Sequence, residues 1–224
     1  MHHLHTRRRS QEGETNRLRS SFPPKTTRAR EIDSLLNALG CVIVDRSAVY
    51  VSTPITSGQR FAHWSSNRDI EFDLSHPETY LEFKREVLEP NSEHARGIIK
   101  NLRSLFAQAL IDPTALRDIE GWVQDDYRVL WAKVIEQYAD TVVFLDGWQY
   151  SNGCTYEFLV AHRMTPRPLI LQERLEPLTL EGGIYLVKQA IAELQNSKLP
   201  TDFLQQVLNE LTKLRTPKEV LAEA

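Results

Sequence analysis

The chain has few of the residues that staple, coordinate or hinge a fold. Its two cysteines, Cys41 and Cys154, stand far apart in 224 residues, which excludes a disulfide scaffold and any Cys-based zinc set. That usage fits a reducing, cytoplasmic setting. Seven histidines form no HExxH-type cluster, so no metal site is expected. Nine glycines produce neither GxGxxG nor GxxxxGK[ST], so neither a dinucleotide cofactor nor a P-loop is expected. No run of ~18 apolar residues occurs, and no membrane span is expected. A secretory apolar core is missing, and Glu12 and Glu14 speak against a transit peptide. Internal repeats and low-complexity tracts are missing too.

What is present is ordinary globular composition, 41% hydrophobic and 25% charged. The net charge of −3 is unevenly spread. Residues 1–30 hold eight basic and two acidic residues, leaving 19 basic and 28 acidic for the rest. A mildly acidic body does not suit nucleic acid, and no apolar face accompanies the basic segment to suit a membrane. Residues 1–30 therefore read as a solvated, flexible arm, residues 31–175 as an α/β domain, and residues 176–224 as a C-terminal helical extension.

Within the domain, "REIDSLLNALG" reads as a short helix stopped by Gly40, with "CVIVD" as a possible extra strand and "SAVYVSTPI" as a core strand. Residues 57–90 show no clear period and read as a long loop of the lid type. "NSEHARGIIKNLRSLF" places apolar residues on one stripe behind a Ser92 N-cap. "AQALIDP", "TVVFLDG" and "LILQ" read as further apolar strands, separated by helices over "GWVQDDYRVLWAKVIEQYAD" and after Ser151. Apolar strands alternating with helices predict a doubly wound parallel sheet, flavodoxin-like or Rossmann-like, with helical N- and C-terminal extensions.

Such sheets bind ligands at the carboxyl ends of their strands. Three polar loops are expected there. The first carries Thr53, Pro54, Ile55, Ser57, Gly58 and Arg60, whose hydroxyls, glycine and cation suit a sugar or phosphate. The second leads to Asp125 and Asp126 at a helix start, where 100° per residue turns Asp126 nearer the apolar stripe. The third runs Asp146, Gly147, Trp148, then Ser151, Asn152 and Gly153, whose free N–H groups suit an anion. Glu157 lies four residues past Gly153 and four before Ala161, on one helix face that is otherwise small. A bland reading makes Glu157 a first-turn acid that complements the helix dipole. The sharper reading is a carboxylate nucleophile, with Asp126 or Asp125 as the acid of a glycosidic site. Phe61, Trp64, Trp122 and Trp148 are aromatic neighbours of these loops, and Trp148 is the best placed to stack on a base. Trp131 and Tyr138 sit on an apolar stripe, and Cys154 reads as a small buried residue.

"VYVSTPI" and "ADTVVFLDGWQYSNGCTYEFLVA" together resemble the nucleoside 2-deoxyribosyltransferase superfamily, over roughly residues 48–172. Ser151, Gly153, Tyr156, Glu157 and Ala161 match the pattern S-x-G-x-x-Y-E-x-x-x-A of its 2'-deoxynucleoside 5'-phosphate N-hydrolases. "DGWQYSNG" is nearer to a G-W-x-x-S-x-G group of uncharacterised small proteins. The resemblance implies that Glu157 is the nucleophile and that Tyr50 hydrogen-bonds and orients it. It further implies that Asp126 or Asp125 protonates the departing base, and that Ser151 and Gly153 hold a 5'-phosphate. A homo-oligomer that completes its sites across subunits is implied as well. The chain departs from the pattern in its first loop, with Thr56, Gln59 and Arg60 where the hydrolases carry a glycine-rich, arginine-bearing loop, and in a longer spacing from Asp126 to Glu157. The expected activity is cleavage or transfer at the N-glycosidic bond of a nucleoside or nucleotide. NAD glycohydrolysis and a catalytically idle nucleotide sensor are the alternatives.

Overall fold

The computed structural model describes residues 25–66, 76–116 and 118–215. Four parallel strands, β1 (Ala48–Ser52), β2 (Ala109–Ile111), β3 (Ala139–Phe144) and β4 (Leu169–Gln172), lie in the order β2-β1-β3-β4. The helices are α1 (Lys25–Gly40), α2 (Gln59–Ser66), α3 (Pro77–Phe83), α4 (Glu89–Leu105), α5 (Gln124–Tyr138), α6 (Asn152–Arg163), α7 (Leu180–Asn196) and α8 (Asp202–Lys213). The chain builds outward from β1 to β2, then crosses back over β1 to β3 and β4, so winding reverses between β1 and β3. This is the doubly wound parallel α/β fold expected, in a four-stranded flavodoxin-like order with helices before and after it.

Period-2 alternation explains how β1 serves two cores. All five of its residues are buried. Val49 and Val51 join Val143, Leu145 and Leu171 against Ala95, Ile99 and Leu102 of α4. Ala48 and Tyr50 face the larger core built by α5, α6, α7, α8 and the inner side of α1. Leu180, Ile184, Val187 and Ile191 of α7 and Leu204, Val207 and Leu211 of α8 belong to that same core, so the C-terminal helices are continuous with the sheet domain. Among the described residues no helix is long and apolar enough to cross a membrane.

Four expectations are corrected here. "CVIVD" forms a turn, and Val42 and Val44 are largely exposed, because no sheet edge meets them. The expected loop 57–90 is helical in much of its length, holding α2, α3, a π turn at Lys84–Leu88 and the start of α4, while residues 67–75 lie outside the described residues. Phe61, Trp64, Phe83 and Val87 pack there into a small core of their own. Ser92 is not an N-cap, since the helix already runs through it from upstream. The π turn lets the helix pass Pro90: Glu89 N–H reaches back to Lys84 O, which resets the hydrogen-bond ladder before the residue that cannot donate. Helix α1 begins at Lys25, within the stretch read as an arm, and residues 1–24 lie outside the described residues.

Helix α7 approaches α6 closely through glycine. A Cβ on Gly183 would stand 2.1 Å from Phe158 Cζ, and Phe158 is fully buried. Gly183→Ala should lower stability by about 1–3 kcal/mol through overpacking, outweighing the ~1 kcal/mol that alanine gains in a helix. Gly97→Ala in α4, where a Cβ would meet nothing within 4 Å, should instead gain up to about 1 kcal/mol. Urea unfolding of the two variants should give opposite signs.

Candidate active site

Alternation along β1 also puts Tyr50 and Ser52 on the face that meets α6. Helix α6 starts at Ser151, the N-cap, whose side chain accepts from Cys154 N–H. One and a half turns later its sheet side presents Glu157. Tyr50 Oη donates to Glu157 Oε1 at 2.9 Å, and Ser52 Oγ donates to Oε2 at 2.6 Å. The Trp131 ring, its centroid 6.1 Å from that of Tyr50, braces the phenol.

Glu157 is 6% exposed. Burial pushes its carboxyl up from 4.5 to about 7, against the opposing pull of Ser52 and then Tyr50. Two hydrogen bonds to a charge return ~1.5–3 kcal/mol each, and desolvation of a carboxylate costs several, so the net shift is upward. Burial, followed by the Glu157 charge, drives the Tyr50 phenol well above its ordinary value and keeps it a donor. The same two causes, in that order, push the Cys154 thiol to about 12, so Cys154 is an inert, buried residue.

Beside this triad, at the carboxyl ends of β1 and β3, lies a cleft of about 550 Å³. That size suits a small-molecule ligand. Thr53 and Leu145 form its floor; Pro54, Ser57 and Arg60 bring in the first loop, and Asp146, Gly147 and Tyr150 the third. Asn91 and His94 of α4, Glu193 and Leu194 of α7, and Ser197 just past its end wall it. Glu157 is not in the lining, and it reaches the cleft's loops only through its partners. Its partner Ser52 precedes Thr53, and Leu145 N–H donates to Ser52 O at 2.9 Å. Ser57 Oγ donates to Ser151 Oγ at 2.9 Å, joining the cleft loop to the start of α6. Over that first turn a Cβ on Gly153 would meet only Ser151 Oγ, at 3.8 Å, so the backbone there is open.

Asn91 holds the first loop. Its Nδ2 donates to Ile55 O at 3.0 Å and Ser57 O at 3.2 Å, and its Oδ1 accepts from Arg60 Nε at 3.1 Å. Gly58 has φ +92°, and a Cβ there would lie 2.8 Å from Pro54 Cβ, so only glycine closes this turn. Glu173, beyond β4, accepts from Asp146 N–H at 2.9 Å and stands 3.5 Å from His94 Nε2.

Of the expected residues, Thr53, Pro54, Ser57, Arg60, Asp146 and Gly147 line the cleft, while Ile55 and Gly58 shape its loop. Ser151, Asn152 and Gly153 start α6 beside it. Trp148 is corrected: it is 3% exposed and packed on Phe144 and Phe158, because the 3-10 turn Trp148–Tyr150 rolls it inward. Tyr150 is the aromatic that reaches the cleft. The expected acids have other partners. Asp126 Oδ2 accepts from Val123 N–H at 2.9 Å and lies 3.3 Å from Arg28 Nε of α1. Asp125 is 74% exposed in its side chain and paired with Arg128. Trp122 donates to Glu31, also on α1. Ser52, Asn91, Tyr150 and Glu193 were not anticipated. Ser52 could have been, since i and i+2 share a strand face; the others come from helices and turns whose approach has no local signal.

Two outcomes follow. Asp126→Ala, which removes the acceptor of Val123 N–H, should cost about 1 kcal/mol of stability, as lost helix caps do, in thermal or urea unfolding. Glu157 binds its proton more tightly folded than unfolded, so its burial costs nothing below pH 4.5 and progressively more up to about pH 7. Glu157→Gln should therefore stabilise the fold at pH 8, by at most roughly 3 kcal/mol at ~1.36 kcal/mol per pKa unit, and not at pH 4. Urea titrations at the two pH values measure the difference. No family model matches the chain, and no curated protein or solved structure matches it either, so the function is read from the geometry of the site itself.

Proposed function

We propose that the protein breaks the N-glycosidic bond of a nucleoside or nucleotide through Glu157. The observation that carries this reading is the buried carboxylate held by Tyr50 and Ser52, with Ser52 next in the chain to the cleft residue Thr53 at the β1/β3 switch point. One carboxylate oxygen attacks the anomeric carbon and forms an ester. The C–N bond breaks, the electron pair leaves with the base, and the base takes up a proton. Water, or a second base, then attacks the same carbon and frees Glu157. Both donors fix the carboxylate plane while leaving each oxygen a lone pair. A carboxyl whose pKa is raised toward neutrality is a stronger nucleophile when ionised than an ordinary one. Arg60 adds a cation for a substrate anion, and the open first turn of α6 adds N–H donors.

The absence of Glu157 from the lining favours a second reading: a nucleotide-binding protein without turnover. Base release, followed by chromatography over nucleosides, their 5'-phosphates and NAD, separates the two. Under the first reading Glu157→Ala lowers turnover at least ~10³-fold, as loss of a nucleophile does. Tyr50→Phe lowers it about 10–100-fold and moves the pH–rate profile, which rises through about pH 7 in the wild type. Release of no base by the wild type, with ligand still bound, establishes the second reading. Full activity in Glu157→Ala removes the nucleophile assignment.

A further inference from the structure

The α7 wall of the cleft has a chemistry of its own. Tyr150 ends the 3-10 turn after β3, lines the cleft, and donates its hydroxyl to Glu193 Oε2. Burial and then Glu193 push the phenol to about 12, so it remains a donor. The second oxygen of Glu193 has no partner among the described residues. Leu194, the next residue of α7, adds an apolar surface beside the Tyr150 ring. Asp146, across the same turn, is a further carboxylate in the lining, and its side chain accepts no hydrogen bond among the described residues.

A flat aromatic face edged by carboxylates asks for a flat ligand edged by N–H donors. Carboxylates accept and cannot donate, so they favour an exocyclic amino group and oppose a carbonyl in its place. We infer that Tyr150 and Glu193 form a base-recognition pair that selects nucleobases of adenine or cytosine type over those carrying a carbonyl in place of the amino group. This rests on the reading of the cleft as a nucleoside site, and it makes α7 part of that site. Glu193 would set specificity by touching the base, with Tyr150 both stacking and aiming it.

Calorimetric binding to the full chain tests this with two pairs of probes, adenosine against inosine and cytidine against uridine. Each pair exchanges one amino group for a carbonyl and turns the adjacent ring nitrogen from an acceptor into an N–H donor, so a preference for the amino member reads the amino contact specifically. Wild type should bind the amino member at least fivefold more tightly. Glu193→Gln, whose amide both donates and accepts, should bring each pair within twofold while leaving the melting temperature unchanged. Tyr150→Ala should weaken all four ligands, and Tyr150→Phe should retain the stacking share. Equal binding within the wild-type pairs overturns the inference, as does an unchanged preference in Glu193→Gln or no binding of any probe. Base release with a preference indifferent to Glu193 removes the inference and leaves the Glu157 chemistry standing. A Glu193-dependent preference without base release does the reverse.

Discussion

A carboxylate that water would solvate better is held between β1 and α6. Everything near it is arranged around that cost. Two hydroxyls from alternate residues of one strand meet the two oxygens of Glu157, which requires β1 to be central and α6 to present its second turn to it. The strand order supplies the first condition, since β1 lies between β2 and β3. The second depends on where α6 starts, and the Ser151 cap sets that start. A helix begun one residue later would turn Glu157 by about 100° away from both donors.

The cleft and the carboxylate meet at the end of β1. Ser52 belongs to the buried side and Thr53 to the open side, and the same backbone carries both. Ser57 and Ser151 make a second connection, between the cleft and α6. The loops are rigidly held from outside: Asn91 of α4 fastens the first, and Glu173 fastens the third. The acids that lie near the start of α5 serve a different purpose. Through Arg28, Asp126 ties α1 to the rest of the domain, and Trp122 and Glu31 reinforce that tie.

How much was legible follows from where each signal resides. The core strands were plain because β-branched runs such as Val49–Val51 and Val142–Val143 need burial on both faces. Glu157 was plain because its helix start, its small neighbours at Gly153 and Ala161 and its spacing all lie within a dozen residues. The segment 57–90 was opaque because its apolar residues pack on one another, and because Pro77 and Pro90 read as breakers while the π turn carries the helix past the second. Asp126 was misjudged for a different reason. Helical angle placed it near the inward stripe, but Arg28 lies almost a hundred residues away and leaves no trace in the local pattern. Tyr150 and Trp148 exchanged roles because a 3-10 turn advances by 120° per residue, which decides which ring faces inward only once Gly147 has set the turn.

Helix α7 bears on how the molecule comes into being. Sheet, α6 and Glu157 all precede it in the chain, so on a ribosome they emerge first. The wall that Glu193, Leu194 and Ser197 lend to the cleft arrives only after Gly183 has seated against Phe158. A nascent chain therefore lacks one wall of the cleft, and part of the core behind it, until α7 has emerged. Completion of the core and completion of the cleft coincide.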